Sequence, residues 1–220
     1  MDEVIRINEW SGRLGNNIIQ IANAAVIARH LGCEVVYPPH PNFRKSSGIN
    51  GRKILHSSPC WNFGDIVKKL SIKDEIDARV LQKGGINKVK NEFYKKHVPL
   101  RYSKQEITYK WTVHLRSGDI YRDKSCDKYR NAQPKLEDYK NLIDKHDIKF
   151  NEICVVTDTS EGGLNPALSF FKKNNVTIEG KKLQNAINHI ANANNLIKSA
   201  STFMRISFFN DNLLNGGINI

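Results

Sequence analysis

The chain has 220 residues, of which 40% are hydrophobic and 25% are charged, and it carries a formal net charge of +12 at pH 7. This length allows one large domain or two small ones with a sizeable core, and the balance excludes a chain that is disordered throughout. No run of about 18 apolar residues occurs, and the acidic start lacks the features of a secretory signal. We therefore predict no membrane span and a cytoplasmic location, for a whole protein or for part of a larger multidomain one.

The positive charge indicates an anionic partner, which the charge alone does not identify. There are 34 Lys and Arg residues against 22 Asp and Glu. The lysines are scattered and do not alternate with aromatic residues in a recognisable nucleic-acid-binding module, so we expect no nucleic-acid partner. A solvated lysine-rich surface explains most of them.

The four cysteines predict neither zinc nor disulfides. Cys33, Cys60, Cys126 and Cys154 are far apart in sequence, and no Cys-x-x-Cys pair occurs. Cys33 and Cys154 stand beside apolar runs, so we expect both to be buried thiols.

The order of predicted elements is that of an α/β protein, because short apolar runs alternate with amphipathic stretches. In the first part, the pattern predicts a strand over 4–7, a turn over 12–15, a helix over 16–31 ended by Gly32, and a strand over 33–37. Residues 38–64 match no element, 74–82 predict a modest helix, and the Lys-, Gly- and Asn-rich residues 83–104 predict a linker. The second part predicts strands over 107–115, 153–157 and 176–178, and helices over 136–145, 164–173, 183–194 and through 209. These elements predict two small Rossmann-like halves, residues 1–104 and 105–220.

The densest polar cluster follows an apolar run in the middle of the chain, where His114, Arg116 and Asp119 fall within six residues. In an open α/β sheet, ligands bind beyond the carboxyl ends of the strands. A guanidinium fork suits phosphate, and Ser117-Gly118 would expose backbone N–H groups. The cluster predicts a phosphate-bearing ligand, and a buried structural His–Asp or Arg–Asp pair is the alternative.

Three other junctions carry polar residues with two interpretations each. The turn over 12–17 could present a helix N-terminus to a ligand, or be a structural turn with an Asn cap. Asp158 could cap the next helix, or accept hydrogen bonds from a base or ribose. The hydroxyls in residues 199–203 could be N-caps or phosphate ligands.

Taken in order, four motifs resemble those of the fucosyltransferase superfamily. They are Gly12-Arg13-Leu14-Gly15-Asn16-Asn17, His114-Leu115-Arg116-Ser117-Gly118-Asp119, Val156-Thr157-Asp158 and Ser201-Thr202-Phe203. The α-1,2-fucosyltransferases are most similar, and the α-1,6- and protein O-fucosyltransferases share the resemblance. It spans nearly the whole chain but rests on these four short motifs.

The resemblance implies an inverting, metal-independent glycosyltransferase of the GT-B type, with a cleft between its two Rossmann-like halves. Such an enzyme transfers fucose from GDP-fucose to a hydroxyl of a glycan acceptor, so the GDP-sugar is a substrate and no cofactor or metal is implied. The half 1–104 would face the acceptor, and the half 105–220 would bind the nucleotide sugar.

The resemblance also implies roles for individual residues. Arg116 would bind the β-phosphate and stabilise charge on the leaving GDP, with Asn16 as the second catalytic residue. The nucleotide-sugar-binding residues would be Gly15, His114, Arg116, Asp119, Asp158, Ser201, Thr202 and Phe203. A fixed arginine can stabilise pyrophosphate charge without a metal.

The sequence departs from the family pattern at several positions. Ser117 stands where a second Arg is usual, Asn17 replaces a Gln, and Met204-Arg205 stands where Trp-Trp often follows. No general base is identified. Two alternatives are therefore a transferase for another nucleotide sugar, and a noncatalytic carbohydrate- or nucleic-acid-binding domain on a degenerate transferase scaffold.

Overall fold

The computed structural model describes residues 3–7, 9, 10, 12–44, 52–56, 91–122, 124–158, 165–180, 182–213, 218 and 219. Within these ranges the chain is a mixed α/β protein whose named strands all pair in parallel. This confirms the predicted α/β class. The chain divides into two compact units, Met1–Arg101 and Tyr102–Ile220. Cys60 and the helix predicted over 74–82 lie outside the described residues.

The first unit contains a three-stranded parallel sheet in the order β2-β1-β3. Its elements are β1 (Glu3–Arg6), α1 (Leu14–Leu31), β2 (Glu34–Val36), β3 (Arg52–His56) and α2 (Asn91–His97). Helix α1 ends at Gly32 as predicted. The φ of Gly32 is 68°, a left-handed conformation that a residue without a Cβ adopts easily. Its start is two residues earlier than predicted, so Gly15 lies inside the first helical turn.

The predicted linker over 83–104 is wrong for its second half. Helix α2 (Asn91–His97) occupies part of it, and Tyr94, Val98 and Leu100 are at most 4% exposed. Leu100 also forms an isolated antiparallel bridge with Phe43. These few apolar residues anchor a lysine- and asparagine-rich segment, because their burial outweighs the polar composition around them.

The second unit contains a five-stranded parallel sheet in the order β6-β5-β4-β7-β8. Its strands are β4 (Trp111–Leu115), β5 (Ile153–Thr157), β6 (Thr177–Glu179), β7 (Leu196–Lys198) and β8 (Ile218–Asn219). Its α-helices are α3 (Asp119–Arg122), α4 (Asp127–Asn131), α5 (Leu136–Lys145), α6 (Pro166–Lys173) and α7 (Leu183–Asn192). Among its described residues, the 3₁₀ helices are Lys124–Cys126, Phe150–Glu152 and Thr202–Phe209.

Layers of helix cover both faces of the central strands. Every residue of β4 and β5 is buried, as expected for inner strands of a parallel sheet. Val113 and Val155 pack on one face with side chains of α5 and α6. On the opposite face, the Cys154 thiol lies 3.9 Å from Nδ1 of His189 in α7.

The cysteine predictions hold for one residue of the pair. Cys154 is buried as expected, and burial followed by the charge of Glu179 raises the pKa of its thiol to about 12, so it stays protonated. Cys33 is only half-buried. No helix within the described ranges is both long enough and apolar enough to cross a membrane.

Side-chain amides attach the irregular segment 102–110 to helix α7. Asn188 Oδ1 accepts a 3.1 Å hydrogen bond from the Ser103 N–H. Asn192 accepts from the Gln105 N–H at 3.3 Å and donates to the Ser103 carbonyl at 2.8 Å. Residues 107–110, predicted as the start of a strand, therefore belong to a segment whose strand begins only at Trp111.

The strand order of the second unit reverses beside β4. The chain runs outward from β4 through β5 to β6, then returns to place β7 on the other side of β4. In open α/β sheets, ligands bind at such a reversal, outside the carboxyl ends of the strands. The loops after Leu115 and Lys198 meet at this point.

Candidate functional site

The candidate site joins the end of β4 to the loop that follows β7. Arg116 comes directly after β4 and is half-buried, and its Nη1 donates a 3.1 Å hydrogen bond to Ser201 Oγ. Residues 116 and 201 are 85 positions apart in sequence. The structure therefore brings together two predicted site residues at the strand-order reversal.

His114 lies beneath this contact as a neutral side chain. Its Nδ1 and Ser199 Oγ share a 2.7 Å hydrogen bond, and its ring lies 5.6 Å from the ring of Phe203. The residue is 5% exposed, and burial, together with the nearby Arg116 charge, lowers its pKa to about 3. Since the imidazole carries no charge near neutral pH, Arg116 supplies the positive charge of this pair.

Ser201 has a structural contact and a site contact at once. Its Oγ accepts a 3.2 Å hydrogen bond from the Phe203 N–H and caps the 3₁₀ helix Thr202–Phe209. The same oxygen accepts from Arg116. The N-cap interpretation of this hydroxyl is thus confirmed, and the cap also orients the guanidinium. Thr202 is exposed at the first position of the helix.

Asn165 fixes the backbone of Arg116. Its Nδ2 donates a 2.8 Å hydrogen bond to the Arg116 carbonyl, while its Oδ1 accepts from the Ala167 N–H at 2.9 Å and caps α6. The residue is 3% exposed. A single buried amide therefore connects the loop after β4 to the start of a helix, which limits the freedom of the arginine.

Gln133 supports the loop after β7 in a similar way. Its Nε2 donates 2.9 Å hydrogen bonds to the carbonyls of Ala200 and Tyr129. Sequence reasoning missed Gln133 and Asn165, and it treated Ser199 only as one hydroxyl among several. No local pattern marks them, because each finds its site partner 49 to 85 residues away.

The chain leaves β4 through a tight turn that needs glycine. Gly118 has a φ of 79°, in the left-handed region, and Asp119 begins the four-residue helix α3. Ser117 is 2% exposed and contributes no charge. The turn places the start of α3 three residues after Arg116.

The remaining predicted residues take no part in the hydrogen bonds described above. Asp158 follows Thr157, which pairs with Leu115, so the register places it at the same sheet edge as Arg116, and the N-cap of α6 is Asn165. Gly15 is buried and Asn16 half-buried in α1, within the unit Met1–Arg101. Their roles stay predictions.

The arrangement is suited to an anionic oxygen. Ser201 holds the side chain of Arg116 and Asn165 holds its backbone carbonyl. Serine hydroxyls and the neutral imidazole of His114 lie close by. Comparisons with protein families, curated proteins and solved structures found no match.

Proposed function

We propose that the chain is an inverting, metal-independent glycosyltransferase that transfers fucose from GDP-fucose to a hydroxyl of a glycan acceptor. The observation that carries this proposal is the Arg116–Ser201 contact at the strand-order reversal. Departure of GDP leaves negative charge on a phosphate oxygen, and a positioned guanidinium stabilises that charge in the transition state.

The support around Arg116 is that of a preorganised group. Ser201 holds the guanidinium, and Asn165 holds the carbonyl of the same residue. Because His114 stays neutral, Arg116 carries the positive charge of this pair. An arginine fixed in this way loses little entropy when it binds phosphate.

The proposal gives each of the two units a role. A GT-B enzyme has two Rossmann-like halves with the donor and acceptor in the cleft between them. In line with that design, each unit has a parallel sheet, and in each the strand order reverses beside the first strand. We propose the unit Met1–Arg101 for the acceptor, the unit Tyr102–Ile220 for the donor, and the cytoplasm as the location.

Calorimetry with GDP tests the phosphate site directly. Arg116→Ala should weaken GDP binding about 30-fold or more, because a charged hydrogen bond to phosphate is worth about 2 kcal/mol. Arg101→Ala is the matched control, since Arg101 is exposed and lies in the other unit. Equal GDP affinity in native protein and Arg116→Ala would remove this residue from the phosphate site.

The donor and the reaction need two further measurements. A thermal-shift panel of GDP, UDP, CDP and dTDP should show the largest stabilisation with GDP. A ligand that binds the native state raises its stability, and the tightest ligand raises it most. A preference for UDP would refute the fucose assignment. With GDP-fucose and a glycan mixture, NMR of the product should show inversion at the anomeric carbon, whereas binding without turnover would favour a noncatalytic domain.

A further inference from the structure

Four ring side chains meet beyond the carboxyl ends of β1 and β2 in the first unit, and we call this set the aromatic cluster: Trp10, Tyr37, His40 and Phe43. The centre of the Trp10 ring lies 5.8 Å from that of Tyr37, 5.1 Å from that of His40 and 5.4 Å from that of Phe43. Tyr37 directly follows β2, and Trp10 belongs to the loop after β1. Since β1 and β2 pair in parallel, the cluster lies at the sheet edge where ligands bind in α/β proteins.

Hydrogen bonds fix the two largest rings of the cluster. Trp10 Nε1 donates a 3.2 Å hydrogen bond to the Pro39 carbonyl, and the Tyr37 hydroxyl donates a 2.9 Å hydrogen bond to the Arg44 carbonyl. Both side chains are half-buried, so each keeps part of its surface open to solvent. The exposed parts of the two rings therefore form an apolar surface whose orientation is set before a ligand arrives.

Backbone hydrogen bonds fix the loop beneath the cluster. The Arg101 N–H donates to the Asn42 carbonyl at 2.8 Å, and the Arg44 N–H donates to the Pro99 carbonyl at 2.9 Å. Phe43 lies between these bonds in sequence and is only 1% exposed, so it is the buried member of the cluster. Because the loop is held in place, a ligand would lose little affinity to ordering it.

His40 adds one polar atom to this apolar surface. Its Nδ1 accepts a 3.1 Å hydrogen bond from the Asn42 N–H, and a backbone N–H can only donate. Burial lowers the pKa of His40, so the ring is neutral near pH 7 and carries its proton on Nε2. Within the described ranges, no group accepts a hydrogen bond from that atom. His40 therefore offers an N–H donor to a ligand.

The combination of ring surfaces and one donor is suited to a sugar ring. A pyranose has a face of C–H bonds, whose partial positive charge is attracted to the negative face of an aromatic ring. Its hydroxyl oxygens accept hydrogen bonds. Ligand sites commonly join aromatic side chains to a few placed polar groups in this way. A purely apolar ligand would leave the Nε2 donor of His40 without a partner, which costs binding free energy.

We propose that the aromatic cluster binds one sugar ring of the glycan acceptor, which packs on Trp10 and Tyr37 and accepts a hydrogen bond from His40 Nε2. The inference rests on the proposed function and deepens it, since it names the residues that bind the acceptor in the unit Met1–Arg101. It also gives His40 a binding role. Because Nε2 already carries a proton, that atom is not the base for the acceptor hydroxyl.

Saturation-transfer NMR tests this site in the absence of any nucleotide, with the methyl glycosides of galactose, glucose, mannose and N-acetylglucosamine as probes. For the glycoside that binds best, Trp10→Leu should raise the Kd about tenfold, because leucine is apolar but has no ring face, and Trp10→Phe should stay within about threefold of native. His40→Phe keeps a ring and loses the donor, so the Kd should rise about fivefold. Tyr129→Leu is the matched control and should bind as native protein does, because Tyr129 is 63% exposed and lies in the other unit.

The outcomes separate the sugar site from the proposed transferase. No signal from any glycoside, or equal affinity in native protein and Trp10→Leu, overturns the sugar site and leaves the transferase proposal to the GDP titration. Sugar binding that Trp10→Leu weakens, in a native protein that does not bind GDP, supports the site and overturns the GDP-fucose donor.

Two further measurements complete the test. Decaproline is titrated in parallel, and binding of this peptide without binding of any glycoside would assign the cluster to a peptide and overturn the sugar site. Thermal unfolding of each variant shows whether it is folded. Should Trp10→Leu not fold, His40→Phe decides the matter, since an unchanged Kd in that variant overturns the proposed hydrogen bond.

Discussion

Replacing His114 by asparagine tests whether this imidazole is held in its neutral form. The side chain is 5% exposed and shares a hydrogen bond with Ser199, and its pKa is lowered to about 3, mainly by burial and then by Arg116. Asparagine can offer Ser199 a polar atom near the position of Nδ1, but it does not titrate.

The expected effect follows from the difference between the folded and unfolded pKa values. Between the ordinary pKa of 6.5 and the folded value of about 3, the unfolded chain binds a proton that the folded chain does not. Stability therefore falls as pH drops below 6.5, and the fall ends near pH 3. At pH 4.5, two units below the unfolded pKa, the native protein should have lost about 3 kcal/mol through this group.

Hydrogen exchange of the β4 and β5 amides gives the free energy of unfolding of this unit at each pH. Between pH 7 and 4.5, the native protein should lose about 3 kcal/mol more than His114→Asn, since other titrations are common to both. His146→Asn makes the same substitution at an exposed histidine of the same unit and is the matched control. Parallel curves for native protein and His114→Asn would refute the neutral, buried imidazole.

Three further substitutions test the second unit. Gly180→Ala should cost about 1–3 kcal/mol in thermal unfolding, because a Cβ there would overlap the Thr157 carbonyl oxygen, and an unchanged Tm would show that this strand end yields easily. Tyr139→Phe should be neutral or stabilising by up to about 1 kcal/mol, because the buried hydroxyl has no hydrogen-bond partner in the described chain; a loss on urea unfolding would contradict that geometry. Asn192→Ala should cost about 1 kcal/mol and speed exchange of the Gln105 amide, and retained protection of that amide would mean that the bond is not formed.

The parts of the fold that could be predicted are those with strong local patterns. The strand Ile153–Thr157 and the helix Leu136–Lys145 have the predicted bounds, because a continuous apolar run and a helical apolar repeat each allow one interpretation. Strand β7 was not predicted, since its three residues are defined by pairing with β4. The burial of Tyr94 was not predicted either, because the lysines and asparagines around it in sequence are typical of an exposed segment.

The candidate site could be predicted only at its strand-end residues. His114 and Arg116 were found because strand ends are where ligands bind in α/β sheets, and Ser201 was found as a hydroxyl ahead of a predicted helix. Their mutual geometry was not, since the contacts join residues 85 positions apart. Asn165 and Gln133 could not be predicted, because an amide that bonds to a distant carbonyl leaves no pattern in its own neighbourhood.

The amides that attach segment 102–110 to α7 have a practical consequence for cutting the protein into fragments. A cut between Arg101 and Tyr102 would leave every one of those hydrogen bonds within the second fragment. A cut at the boundary predicted from sequence, after residue 104, would remove Ser103 and with it the hydrogen bonds that Ser103 forms with Asn188 and Asn192. Because these amides carry no charge, the attachment should resist salt and changes of pH. A fragment of the second unit should therefore begin at Tyr102, so that it keeps these hydrogen bonds.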